Sequence, residues 1–191
     1  PPKDDVPDAL ARVDGEGPFD PMFARLAVDD LRPVVGQGVT AKLFVYTQRQ
    51  GRFLQTKGYS APDFAKIPLR FPDDKWRTIT LGGRLFQWKL YETAMIFPLR
   101  TGKVTVGGGD IEAQVLDAFT VGGPTVLASK PLTLEVVEPP LAGRPTGYVL
   151  GDVVSDLELV SDVQPREVKD GHALIELKLR GLGRLERTSV E

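Results

Sequence analysis

From Met22 onward, apolar and polar residues alternate in short runs separated by glycine, proline and aspartate. The clearest run covers residues 39–46, where Val39, Ala41, Leu43 and Val45 share one face and Thr40 and Lys42 the other. A period of two is the signature of a strand with one buried face. A longer run spans residues 85–97, with Phe86, Trp88, Leu90, Ala94 and Ile96 in phase and Glu92 interrupting them. A charged residue inside so long an apolar row predicts a β-bulge or a strand switch near Glu92. The common phase places Trp88 between two sheets. Weaker strand signals lie at 65–71 and 76–81, and further strands are expected at 22–28, 103–106, 110–116 and 131–136. About seven or eight short strands, turn residues every 8–12 positions and no helical periodicity predict an all-β fold, an immunoglobulin-like β-sandwich.

Two flanking regions read differently. Residues 1–21 hold five Pro, two Gly and five Asp among few apolar residues, which predicts an N-terminal linker. The sandwich is assigned to 22–138 and a semi-rigid, proline-rich linker to 139–146. Residues 147–191 then repeat the opening of the sandwich. Residues 163–171 carry a proline turn, a valine and a glycine before the run Ala173, Ile175, Leu177, Leu179, as residues 31–38 do before the run from Val39. This predicts a partial second module, whose apolar strand face must pack against something. Protease cleavage is expected first within 1–21 and 138–147.

Composition narrows the chemistry. The 191 residues include 20 Gly and 16 Pro, close to a fifth of the chain, in keeping with many strands and turns. A net charge of −2 argues against nucleic acid or anionic lipid as the main partner. No cysteine is present, so disulfides, thiol nucleophiles and thiolate metal sites are excluded. No run approaches the roughly 20 apolar residues of a membrane-spanning helix. The start Pro1-Pro2-Lys3 reads as a piece of a longer protein.

Few residues invite chemistry. His172, the single histidine, has no companion for a metal and no nucleophile-elbow motif near it, so it reads as a surface residue. Gly107-Gly108-Gly109-Asp110 lacks the Lys-Ser/Thr and helix of a phosphate loop and reads as a break between strands. The pairs Asp4-Asp5, Asp29-Asp30 and Asp73-Asp74 do not form a calcium loop and read as turn residues. Trp76 and Tyr91 fall off the phase of Trp88 and form the candidate recognition surface. No catalytic residue, cofactor or metal ligand is assigned.

Several segments in order resemble the BatD (oxygen-tolerance) family. Residues 34–43 (Val-Val-Gly-Gln-Gly-Val-Thr-Ala-Lys-Leu) are similar to its strand opening, and 92–106 to its strand–turn–strand centred on Pro98-Leu99-Arg100-Thr101-Gly102. Residues 129–136 resemble its closing strand, and 143–152 its Gly-Arg-Pro linker. The "Pro-Pro" that follows the glycine turn in the family is Gly107-Gly108 here. The resemblance implies tandem immunoglobulin-like modules of a bacterial, periplasmic or extracytoplasmic protein, anchored in the membrane by a segment outside this chain. It also implies protein partners, namely von Willebrand factor A-domain membrane proteins and a MoxR-type ATPase system, with no catalytic residues to carry over. The expected function is a non-enzymatic scaffold in an aerotolerance-associated envelope complex. The alternative is a carbohydrate- or peptide-binding module using Trp76 and Tyr91.

Overall fold

The computed structural model describes residues 4–14, 18–49, 51–70, 75–116, 121–144, 146–147, 158–162 and 176–180. The fold is all-β, and every strand pairing is antiparallel. The first sheet runs β1 (Met22–Val28), β2 (Val39–Thr47), β6 (Arg84–Pro98), in that spatial order. Beyond β6, two short strands share its far edge. β4 (Phe64–Pro68) pairs with its C-terminal half and β5 (Arg77–Leu81) with its N-terminal half. The β5–β6 hairpin closes through Gly82 and Gly83 at φ of 52° and 74°, the left-handed backbone that a two-residue turn matched to strand twist demands.

The second layer contains β3 (Gly51–Tyr59), β8 (Gly109–Leu116) and β9 (Val121–Ala128), in that order, and the pair β7 (Gly102–Val106) and β10 (Leu132–Val136). Between the layers, Val39, Ala41, Leu43 and Val45 of β2 and Ala94 and Ile96 of β6 meet Val104, Val106, Ile111, Ala113, Leu134 and Val136, all essentially inaccessible to water. The phase expected for β2 is the observed one. After β1 the chain crosses to this layer and runs parallel to the end of β10, where Val35 N donates to Val137 O and Val137 N to Pro33 O.

The bulge in β6 lies where it is expected, and its consequence corrects the placement of Trp88. Leu43 pairs with Glu92 but Phe44 with Leu90, so Tyr91 is the extra residue. One inserted residue turns every preceding side chain to the opposite face. Phe86 and Trp88 are therefore on the outer face, in a second core with Ala11, Ala27, Phe44, Tyr46, Ile79 and Leu81. Trp88 is 2% exposed, as a core tryptophan should be, but it is not between the sheets. Its ring meets Phe44 edge-on at 5.7 Å, and Phe23 stacks on Tyr46 at 4.7 Å. At the bulge itself, Glu92 is satisfied by Lys66 Nζ at 2.5 Å, which also lies 3.7 Å from the Tyr59 ring centroid.

What covers the outer face is the N-terminal segment, so within the linker expected at 1–21 the described residues 4–14 form a strap. Asp8 caps a 3₁₀ turn at Ala9–Ala11, accepting from Leu10 N at 3.0 Å. Asp5 N donates to Thr78 O, and Asp4 Oδ1 accepts from both Thr80 N and Thr80 Oγ1. Trp88 Nε1 donates to Asp5 O at 3.1 Å, Tyr46 Oη to Ala11 O at 2.7 Å and Arg25 Nη1 to Leu10 O at 2.5 Å. Ala11 is fully buried, and Val6, Leu10, Val13 and Phe19 pack against the same core. Composition misses this because three of the strap's bonds are accepted by its own backbone carbonyls, which any sequence offers, and its carboxylates look like those of any turn.

Beyond the sandwich, β11 (Glu158–Asp162) and β12 (Glu176–Arg180) form an antiparallel pair with Leu159 opposite Leu179. Among the described residues they pair with no strand of the sandwich. Ala173 and Ile175, the turn at 163–171 and His172 lie outside the described residues.

Two buried tyrosines make opposite predictions. Tyr46 Oη has its acceptor on the strap, whereas Tyr59 Oη is buried with no hydrogen-bond partner. Tyr46→Phe should cost about 1 kcal/mol, and Tyr59→Phe should be neutral or stabilising by up to about 1 kcal/mol, because it removes a desolvated hydroxyl with nothing to bond. Burial raises both phenols above the ordinary tyrosine range, and the Glu92 carboxylate raises Tyr59 further. The neutral form is thus favoured by folding. Its stabilisation is complete below the unfolded value near pH ~10 and is lost as pH climbs from there toward the folded values. Urea midpoints of the wild type and both variants, followed from about pH 8 to 11, should show the alkaline loss reduced in each variant.

Candidate functional site

The outer face of the first sheet is not covered completely. The strap overlies its apolar end, and beside the strap the face opens into a groove of about 590 Å3. One wall is Pro7, Asp8 and Ala9, and the other is Leu69, Arg70, Lys75 and Arg77. The floor is Thr40 and Lys42 of β2 with Trp88, Leu90 and Thr93 of β6. The local pattern explains this division: the outward residues of β2 read Thr40, Lys42, Phe44, Tyr46, polar toward the groove and aromatic under the strap. Leu69 N donates to Thr93 O at 2.9 Å, extending the β4 ladder and setting Arg70 at the rim.

Among the described residues, four cations line this groove against one carboxylate. Asp8 Oδ2 takes Lys42 Nζ at 2.6 Å. Arg77 Nε lies 3.7 Å from Asp5, and its guanidinium sits 5.7 Å from the centre of the Trp88 ring. Arg70 and Lys75 are exposed, and among the described residues neither is in an ion pair. Among the described residues, the site therefore joins the apolar side chains of Leu69, Leu90 and Trp88 to surplus positive charge, a combination suited to binding. None of the groove's charged lining residues is a candidate site residue from the sequence, and only the pairing of β2, β4 and β5 around β6 unites positions 8, 42, 70, 75 and 77. Lys42 alone carried a signal, its outward phase on β2.

The sequence candidates Trp76 and Tyr91 are brought together elsewhere. Trp76 is 38% exposed at the start of β5, and Tyr91 is the half-buried bulge residue, packed against the inter-sheet core. Lys89 unites them, with its Nζ 5.8 Å from the Trp76 ring centroid and 5.3 Å from that of Tyr91, within cation–π range of both. One face of each ring is thus occupied by the ammonium. Lys89 went unnoticed in the sequence because nothing in its spacing marks it.

The remaining candidates have structural partners. Asp29 Oδ1 accepts from Thr40 N and Asp30 Oδ1 from Arg32 N, each at 2.8 Å, so these carboxylates fasten turns, as does Asp4 on the strap. Asp73-Asp74 and His172 lie outside the described residues. Among the described residues no three His, Asp or Glu side chains gather to hold a metal ion. Gly107 and Gly108 join β7 to β8, in keeping with a strand break. No protein-family model matches the chain, and neither a curated protein nor a solved structure does.

Proposed function

We propose that the chain is a non-enzymatic protein-interaction module of the immunoglobulin-like kind, part of a tandem array in a BatD-like, membrane-anchored extracytoplasmic protein. The observation that carries this reading is the strap-side groove, in which Leu69 and Leu90 lie among four cations on a sheet whose other face is sealed against the second layer. The parallel run of residues 33–35 beside β10 and the strand pair β11–β12 after the sandwich support the immunoglobulin-like and tandem parts of it. The partners proposed are von Willebrand factor A-domain membrane proteins served by a MoxR-type ATPase. A cross-linked pull-down from cell envelopes, with the intact multi-module protein as bait, should recover such a protein. Recovery of polysaccharide alone, lost on Trp76→Ala, would replace this reading by the carbohydrate-binding one; against that alternative stands Lys89, lodged on the ring faces a sugar would stack on.

A further inference from the structure

The strap shows what this sheet face accepts. Its acidic residues sit on the face's donors: Asp4 on the Thr80 amide and hydroxyl, Asp5 near Arg77 and Asp8 on Lys42. Between them Val6 and Leu10 enter the outer core. The strap is thus an acidic segment, non-helical up to its 3₁₀ turn at Ala9–Ala11, with aliphatic anchors, bound in cis. Alongside it the groove continues the same chemistry, with Leu69 and Leu90 for apolar contact and Arg70 and Lys75 without ion-pair partners among the described residues.

We infer that the groove is the docking site for a second acidic, extended segment, supplied by a partner protein and lying beside the strap. Arg70 and Lys75 receive its carboxylates, and Leu69 and Leu90 seat its apolar side chains. Charge complementarity selects this occupant. Guanidinium and ammonium groups prefer carboxylates, and Leu69 and Leu90 set beside them favour a segment in which acidic and aliphatic residues alternate. A long polyanion is a poorer fit, because a chain of net charge −2 offers it no overall attraction beyond such a local cluster. The inference rests on the interaction-module reading only in taking the occupant from a protein.

The test titrates the intact chain into a dye-labelled, blocked peptide in which aspartate alternates with leucine, with the asparagine–leucine version as control, and reads fluorescence anisotropy. The aspartate peptide should bind saturably and more weakly as salt rises. The double variant Arg70→Glu/Lys75→Glu should weaken binding by about tenfold or more, since two exposed charge contacts are reversed. Both residues are exposed, so circular dichroism of the variant should match the wild type. No binding, equal binding of the asparagine peptide, or an unchanged double variant overturns the assignment. So does capture of phosphatidylserine vesicles in place of the peptide, which would make the face a membrane contact. The same double variant used as bait separates the two readings. If it still recovers the envelope partner, the groove assignment falls while the module reading stands. If the wild type recovers none although the peptide binds, the scaffold reading falls and the groove remains.

Discussion

Gly108→Ala should destabilise the sandwich by roughly 3 kcal/mol or more, enough to leave much of the chain unfolded at physiological temperature. A methyl group there would lie 2.1 Å from the Ser129 carbonyl oxygen, a backbone atom with no rotamer to escape into. The neighbourhood cannot yield. Gly109 N donates to Ser129 Oγ and Ser129 N returns a bond to Gly109 O, while Gly107 N donates to Ser60 O. Here β7 passes into β8, and the β7–β10 pair abuts the β3–β8–β9 sheet. Gly123→Ala is the control: its added methyl meets nothing within 4 Å, so its effect should stay within about 0.5 kcal/mol. Urea denaturation of both variants decides the matter, and a Gly108→Ala protein as stable as the wild type would refute the crossing described.

The second large effect is expected at Trp88. Trp88→Ala should cost about 3–5 kcal/mol through lost burial and the cavity left behind. The location of the damage distinguishes the outer core from an inter-sheet position. Trp88 Nε1 holds Asp5 O, so its loss should free the strap first. Hydrogen exchange should speed up at the amides of Asp5, Ala11 and Arg12, which bond to Thr78, Asp8 and Ala9, while Val35 and Val137 keep their protection. The reverse pattern would return Trp88 to the space between the layers. By the same logic, residues 4–14 in the intact protein should resist protease far better than a linker would.

These results bear on what the chain's pattern could reveal. The phase of β2 was legible because one face is buried by a whole sheet and alternation records that directly. The bulge in β6 was legible from Glu92, a charge that an unbroken apolar row would not tolerate. Its effect on Trp88 was not, since Trp88, Ala94 and Ile96 keep the same even spacing on either side of the insertion. The strap was hidden for another reason. Few apolar residues suffice where Trp88, Tyr46 and Arg25 donate to its carbonyls, and carbonyls leave no trace in composition. Trp76 and Tyr91 were found because aromatics out of phase stand out, yet Lys89 and the groove's cations resemble any solvated lysine or arginine. Their meaning comes from register, from two strands laid end to end along one edge of β6.

That one inserted tyrosine has a genetic consequence. Along β6, substitutions at 86, 88 and 90 are felt by the strap and by β5, while those at 94 and 96 are felt by the second layer. Paired changes such as Trp88→Phe with Ala94→Val should therefore add independently, although they sit six positions apart on one strand and on the same count of alternation. Compensation for a lost volume at 88 must be sought near Ala11 or Phe44, and for an overfilled 94 among the residues of β2 and the facing sheet. Selection acts on this strand as on two separate short ones, joined end to end and answerable to different neighbours.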